Sequence, residues 1–282
     1  MIMDKIRQRA LEVSPLCVGI DLRESHIPQE MKELPVGEQF VAYAKEVIAA
    51  SKDYAACYKV QIACYETYGI EGLMAYKQIL DAIKATGHYV IADIKRGDIG
   101  STGEQYAKGH FTGDFEADVV TLNPYMGYDA ISAFAAYAGQ GKGAFILGKT
   151  SNPSGRDFQD LVVKTSQGDQ SLYQTVLGKI QDWNQASKGD HSAFGALGAV
   201  VGVNEADNMD QLKAATKDTF LLIPGYGAQG AKLEDIRALI QDHQNGVVNV
   251  SRGLTANIES DYRRVLAERS STLAKELSTC FK

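Results

Sequence analysis

Eight short apolar runs punctuate this 282-residue chain, at 16–20, 56–60, 89–92, 117–122, 144–147, 199–203, 220–223 and 247–250. Between most of them lie stretches with helical periodicity, such as 38–50, 71–85, 205–215 and 233–241. Strands that are apolar on both faces, rather than alternating, belong in a parallel sheet covered on each side by helices. Eight repeats favour a closed (β/α)8 TIM barrel over an open doubly wound sheet. No composition shift or linker splits the sequence, so residues 1–282 read as a single barrel domain, entered through an amphipathic N-terminal helix.

One interval breaks the rhythm. About fifty residues separate the fifth run from the sixth, beginning Lys149-Thr150-Ser151-Asn152-Pro153-Ser154-Gly155. This predicts a long insertion after strand five, carrying its own helix around 171–186. Barrel active sites are built from the loops at the C-terminal strand ends. The insertion is therefore expected to be a lid or site wall, with plain structural elaboration as the alternative.

The polar residues that interrupt the apolar runs fall at those same ends. Run three exits through Asp93-Ile-Lys95-Arg-Gly-Asp98-Ile99, and charge taken out of water is costly unless paired. Alternation along a strand would point Asp93 and Lys95 both inward, with Asp98, past Gly97, already turning outward. Lys59 ends run two and Asp21 follows run one. Taken alone, Asp93-x-Lys95-x-x-Asp98 could still be a surface ion-pair cluster. Run seven leads into Pro224-Gly225-Tyr226-Gly227-Ala228-Gln229-Gly230 and run eight into Ser251-Arg252-Gly253. Glycines let backbone N–H groups approach an anion, and Arg252 adds a forked charged donor, so these loops read as a phosphate cradle. A glycine-rich loop without the arginine would as readily be a plain turn.

A net charge of −6 argues against nucleic acid or an anionic membrane as partner, so a phosphate must be met by local donors. No apolar run approaches the ~20 residues of a membrane span, and no signal-peptide core follows the N-terminus. Cys17, Cys57, Cys64 and Cys280 form no Cys-x-x-Cys pair and read as reduced thiols of a cytoplasmic protein. His26, His88, His110, His191 and His243 show no metal-ligand spacing and read as structural or solvated.

At these motifs the sequence resembles the orotidine 5′-phosphate decarboxylase family, in its longer bacterial branch with Asp-x-Lys-Arg-Gly-Asp-Ile-Gly-Ser-Thr. The matching motifs run in order through strand ends one, two, three, five, seven and eight. The resemblance implies that Lys59, Asp93, Lys95 and Asp98 form a charged tetrad, with Lys95 the proton donor. It implies that Asp98, Ile99 and Thr102 serve the neighbouring subunit's site in a homodimer. Asp21 with Lys59 would contact the ribose, and Ser151 and Gln229 the pyrimidine. Gln229 would reach on to the phosphate, which Arg252 and the backbone of Gly253 would hold. Gly100-Ser101 and Ser251-Arg252-Gly253 depart from the Pro-Asn and Gly-Arg-Ser patterns of the shorter branch. Neither metal nor organic cofactor is implied. Three rivals remain: a magnesium-dependent sugar-phosphate decarboxylase, a Schiff-base aldolase and a non-catalytic nucleotide-phosphate binder. The first would carry an acidic metal ligand where Lys59 stands, and the second needs a neutral lysine, which flanking aspartates oppose.

Overall fold

The computed structural model describes residues 1–166, 168–189, 192–203, 208–227, 230–258 and 261–282. The eight apolar runs become eight parallel strands: β1 (Leu16–Gly19), β2 (Cys57–Gln61), β3 (Tyr89–Arg96), β4 (Val119–Leu122), β5 (Gly143–Lys149), β8 (Leu197–Val201), β9 (Leu221–Ile223) and β10 (Gly246–Val250). Each pairs with its neighbours, and β10 closes on β1 to complete the barrel. Side chains buried on both strand faces explain the continuous apolar runs. Cys17, Cys57, Ile91, Val119, Phe145, Phe220 and Val247 fill the interior, while Val18, Tyr58, Val90 and Val120 pack outward under the helices.

Helix α1 (Ile2–Glu12) sends Ile2, Met3 and Ile6 into the interior cluster and stoppers the N-terminal end of the barrel. Close approach there needs Gly143, since a Cβ at that position would lie 2.5 Å from Ile2 Cγ2. Helices α2 (Val36–Ser51), α4 (Gly69–Lys84), α5 (Gly100–Phe111), α6 (Asp129–Ala135), α8 (Leu172–Gln185), α9 (Met209–Thr216), α10 (Leu233–Ile240) and α12 (Tyr262–Ser278) supply the outer layer, with α3 (Ala63–Glu66) and α11 (Arg252–Thr255) as single turns. The expected 205–215 helix begins at Met209 among the described residues, 204–207 lying outside them. Among the described residues no helix is long and apolar enough to cross a membrane.

Two features differ from expectation. The insertion holds more than its helix: a turn α7 (Arg156–Gln159) and an antiparallel hairpin of β6 (Val162–Thr165) and β7 (Gly168–Ser171) precede α8. Strand β3 runs past its apolar part to Arg96, but not as a regular strand. Ala92 pairs with Val120 and Arg96 with Leu122, so two extra residues bulge between those rungs.

Candidate active site

Asp93 is the hub of the barrel mouth, its side chain 9% exposed. Its Oδ2 accepts from Lys59 Nζ at 3.0 Å and from Gln61 Nε2 at 2.9 Å. Its Oδ1 accepts from Lys95 Nζ at 2.5 Å and from the Thr121 hydroxyl at 2.8 Å. Both carboxylate oxygens are thus doubly satisfied, the condition for keeping a buried charge. Burial alone would push this carboxyl up; Lys59 and then Lys95 outweigh it and hold it well below the usual carboxylate range. Lys59 is the reciprocal case. Burial works against its charge, but Asp21 (3.1 Å) and Asp93 more than reverse that and leave its ammonium more firmly protonated than an ordinary lysine.

Lys95 reaches the hub by a route that strand alternation does not predict. Its backbone is left-handed, with φ of +48°, inside the β3 bulge. A side chain rarely adopts this conformation without a compensating fixture. The regular period-two placement of Asp93 and Lys95 is therefore corrected: both face the mouth, but the bulge aims Lys95.

Asp21, Lys59, Asp93, Lys95 and Ser151 line one cavity of about 300 Å³, with Gln61, Thr121 and Asn249 among its polar walls and Leu147, Val200, Leu222 and Pro224 among its apolar ones. Arg252 lies in an adjoining cavity of about 230 Å³, shared with Arg23, Gly225, Tyr226 and Ser251. Asp21 and Asn249 border both, so the two form one elongated trough with charge at each end. The close approach of β1 to the β10 exit requires Gly19, where a Cβ would sit 2.7 Å from Ser251 Cβ. Gly253 follows Arg252 in α11. Gln229 lies outside the described residues.

Three expected site residues do not join the cluster of their own chain. Asp98 turns its Oδ1 onto the Ile99 N–H at 2.9 Å, Ile99 is 51% exposed, and Thr102 is exposed on α5. None of the three lines either cavity. The base of the insertion does wall the trough, through Thr150, Ser151 and Asn152. Gln159 of α7 pins that corner, accepting from Thr150 N at 2.9 Å and donating to Thr150 Oγ1 at 2.7 Å.

Gln61, Thr121, Asn249 and Arg23 are trough residues that sequence reasoning missed. Gln61 was within reach, two positions beyond Lys59 and so on the same strand face. A lone threonine or asparagine inside an apolar run carries no such signal. His26, His88 and His110 are buried and His243 is exposed, while His191 lies outside the described residues. Burial, then Arg96, pushes His110 down to about 4, as befits a neutral structural ring. Cys17, Cys57 and Cys280 are buried, Cys64 partly so, and all four are free thiols.

Residues 14–262 match the orotidine 5′-phosphate decarboxylase / HUMPS family. A protein of Petrotoga mobilis named orotidine 5′-phosphate decarboxylase is 39% identical over 257 residues, covering 90% of this chain and 88% of that one. One of the same name from Clostridium acetobutylicum is 42% identical over the same coverage. Among solved structures, the OMP decarboxylase of Leishmania donovani superposes with a TM-score of 0.78 at 29% identity, covering 100% of this chain and 99% of that one. The Plasmodium berghei orotidine 5′-monophosphate decarboxylase, at 22% identity and a TM-score of 0.80 over 100% and 98% of the two chains, bears on the fold alone.

Proposed function

The chain belongs to the orotidine 5′-phosphate decarboxylase / HUMPS family, and from that membership we propose that it converts orotidine 5′-phosphate to UMP and carbon dioxide, the last step of de novo pyrimidine biosynthesis. The observation that carries this reading is the Lys95 ammonium held 2.5 Å from the buried Asp93 carboxylate on the wall of a trough that runs on to Arg252.

Cleaving the bond from C6 to the carboxylate leaves an electron pair in the plane of the pyrimidine, where the ring π system cannot absorb it. Stabilisation then falls to preorganised charge. Lys95 opposes the developing carbanion and, once carbon dioxide has left, passes a proton from Nζ to C6. Asp93, next to the substrate carboxylate, repels it in the ground state. Lys59 fixes Asp93 and, with Asp21, takes the ribose hydroxyls. Ser151 and Gln229 face the pyrimidine, Gln229 reaching on to the phosphate that Arg252 and the Gly253 backbone hold. That remote grip supplies binding energy for ordering the site.

Neither metal nor organic cofactor enters this scheme, and the Lys59 ammonium between Asp21 and Asp93 repels a divalent cation from that pair. Asp98, Ile99 and Thr102 complete the neighbouring subunit's site in a homodimer. Exposed Ile99, Tyr125 and Met126, which follow the adjacent strands β3 and β4, support such an interface. Residues 1–282 act as one domain in the cytoplasm, in keeping with the free cysteines, and the net charge of −6 gives no footing to nucleic acid.

The test follows orotidine 5′-phosphate absorbance with EDTA-treated wild type and with Lys95→Ala. Wild type should turn over without added metal, and the variant should keep no more than a few per cent of kcat while remaining folded. Turnover that needs Mg²⁺, or a Lys95→Ala variant that keeps more than a few per cent of kcat, would overturn the scheme.

A further inference from the structure

We infer that Thr121 is the positioning residue of this site, one hydroxyl that sets both the backbone of Lys95 and the orientation of Asp93. The inference rests on the decarboxylase reading and extends it to a residue on a different strand. Thr121 is 1% exposed, in the middle of β4. Its Oγ1 lies 3.0 Å from the backbone nitrogen of Ile94, 3.0 Å from that of Lys95 and 2.8 Å from Asp93 Oδ1.

The direction of these bonds follows by elimination. A hydroxyl has one proton and two acceptor sites. The two amide N–H groups can only donate, so they take both acceptor sites. The single proton must then go to the carboxylate. Thr121 has no rotational freedom left.

Each bond answers a specific need. Inside the β3 bulge, the Ile94 and Lys95 amides are displaced from the rungs that pair Ala92 with Val120 and Arg96 with Leu122. An amide taken out of water without a partner is costly. Thr121 accepts both and so stabilises the stretch in which Lys95 is held at φ +48°. The third bond fixes one oxygen of Asp93 from below while Lys95 grips the same oxygen. Asp93 therefore cannot swing away when another carboxylate is brought against it. Ammonium and carboxylate are held relative to one another through one uncharged hydroxyl.

Thr121→Val keeps the shape and removes the hydroxyl. We expect kcat to fall about 10- to 100-fold, the scale of one lost hydrogen bond to a charged group, with KM within about twofold of wild type. Thr121→Ser restores the hydroxyl and should bring kcat back to within roughly threefold of wild type, on the same reasoning. Should the valine variant not fold, Thr121→Ala, with room for a water, carries the same expected split. A folded valine or alanine variant with wild-type kcat would overturn the inference. So would a loss confined to KM, or a folded serine variant that fails to recover. Wild-type protein inert toward orotidine 5′-phosphate would instead defeat the decarboxylase reading itself.

Discussion

Charge at the scale of single residues is balanced at the catalytic end of the trough: two lysines against two aspartates, with Asp93 between the lysines. Because the Asp93 carboxyl is held below its ordinary value, the unfolded chain takes up this proton before the folded one does as pH falls. Its stabilisation is present above about pH 4 and is lost as pH drops through the folded value. Asp93→Asn should therefore melt lower than wild type at neutral pH yet show a flatter decline in Tm below about pH 4. Equal slopes for the two proteins would assign the acid lability to other carboxylates. At the far end of the trough, Arg252→Ala should cost about 1.5–3 kcal/mol of substrate capture, or roughly one to two decades in kcat/KM. An unchanged kcat/KM would put the phosphate elsewhere. The sequence made Asp21, Lys59, Asp93, Lys95 and Arg252 legible because charge at the end of an apolar run has few structural uses. The bulge was not legible, because what stabilises it is a hydroxyl on the next strand, 26 residues past Lys95.

Among the elements, the barrel strands were legible for the same reason that they are stable: both faces are buried, so their apolar runs are uninterrupted. The hairpin β6–β7 was not, since its side chains are exposed or half-exposed and main-chain pairing gives no compositional signal. Where the hairpin ends, Ser171 starts α8 with a reciprocal cap: Gln174 N donates to its Oγ at 3.4 Å, and Ser171 N donates to Gln174 Oε1 at 2.9 Å. Leu177 of that helix is fully buried against Gly148, where a Cβ would lie 2.6 Å from its Cδ2, so α8 props the β5 exit that carries Thr150 and Ser151. Ser171→Ala should cost about 1 kcal/mol. Hydrogen exchange should show faster amide exchange in the first turns of α8, with kcat unchanged. An unaltered exchange pattern would mean that strand pairing in the hairpin, not the cap, sets the start of the helix.

For the whole molecule, one chain gathers Asp21, Lys59, Asp93 and Lys95 but leaves Asp98 outside its trough. If Asp98 serves a partner's site, Lys95→Ala and Asp98→Asn homodimers should each be badly impaired. After random subunit exchange, half the dimers are hybrids, each with one intact and one doubly defective site. Activity should then return to roughly a quarter of wild type. Cross-linking each homodimer beforehand should abolish the recovery. No recovery in a sample where mass spectrometry detects hybrids would place the action of Asp98 within its own chain. The sequence placed Asp98 past Gly97 and turning outward, but its assignment to a partner's site leaned on the resemblance, because no local pattern distinguishes a carboxylate lent to a partner from a solvated one.

The left-handed turn of the backbone at Lys95 has a consequence for redesign. Glycine occupies such a conformation freely, whereas any other residue gives up roughly 1–3 kcal/mol to stay there. A procedure that scores only how well a sequence suits this backbone is thus drawn to glycine at position 95. It would trade the proton donor for stability, and the more closely it followed the backbone, the more surely it would return a well-folded barrel without chemistry.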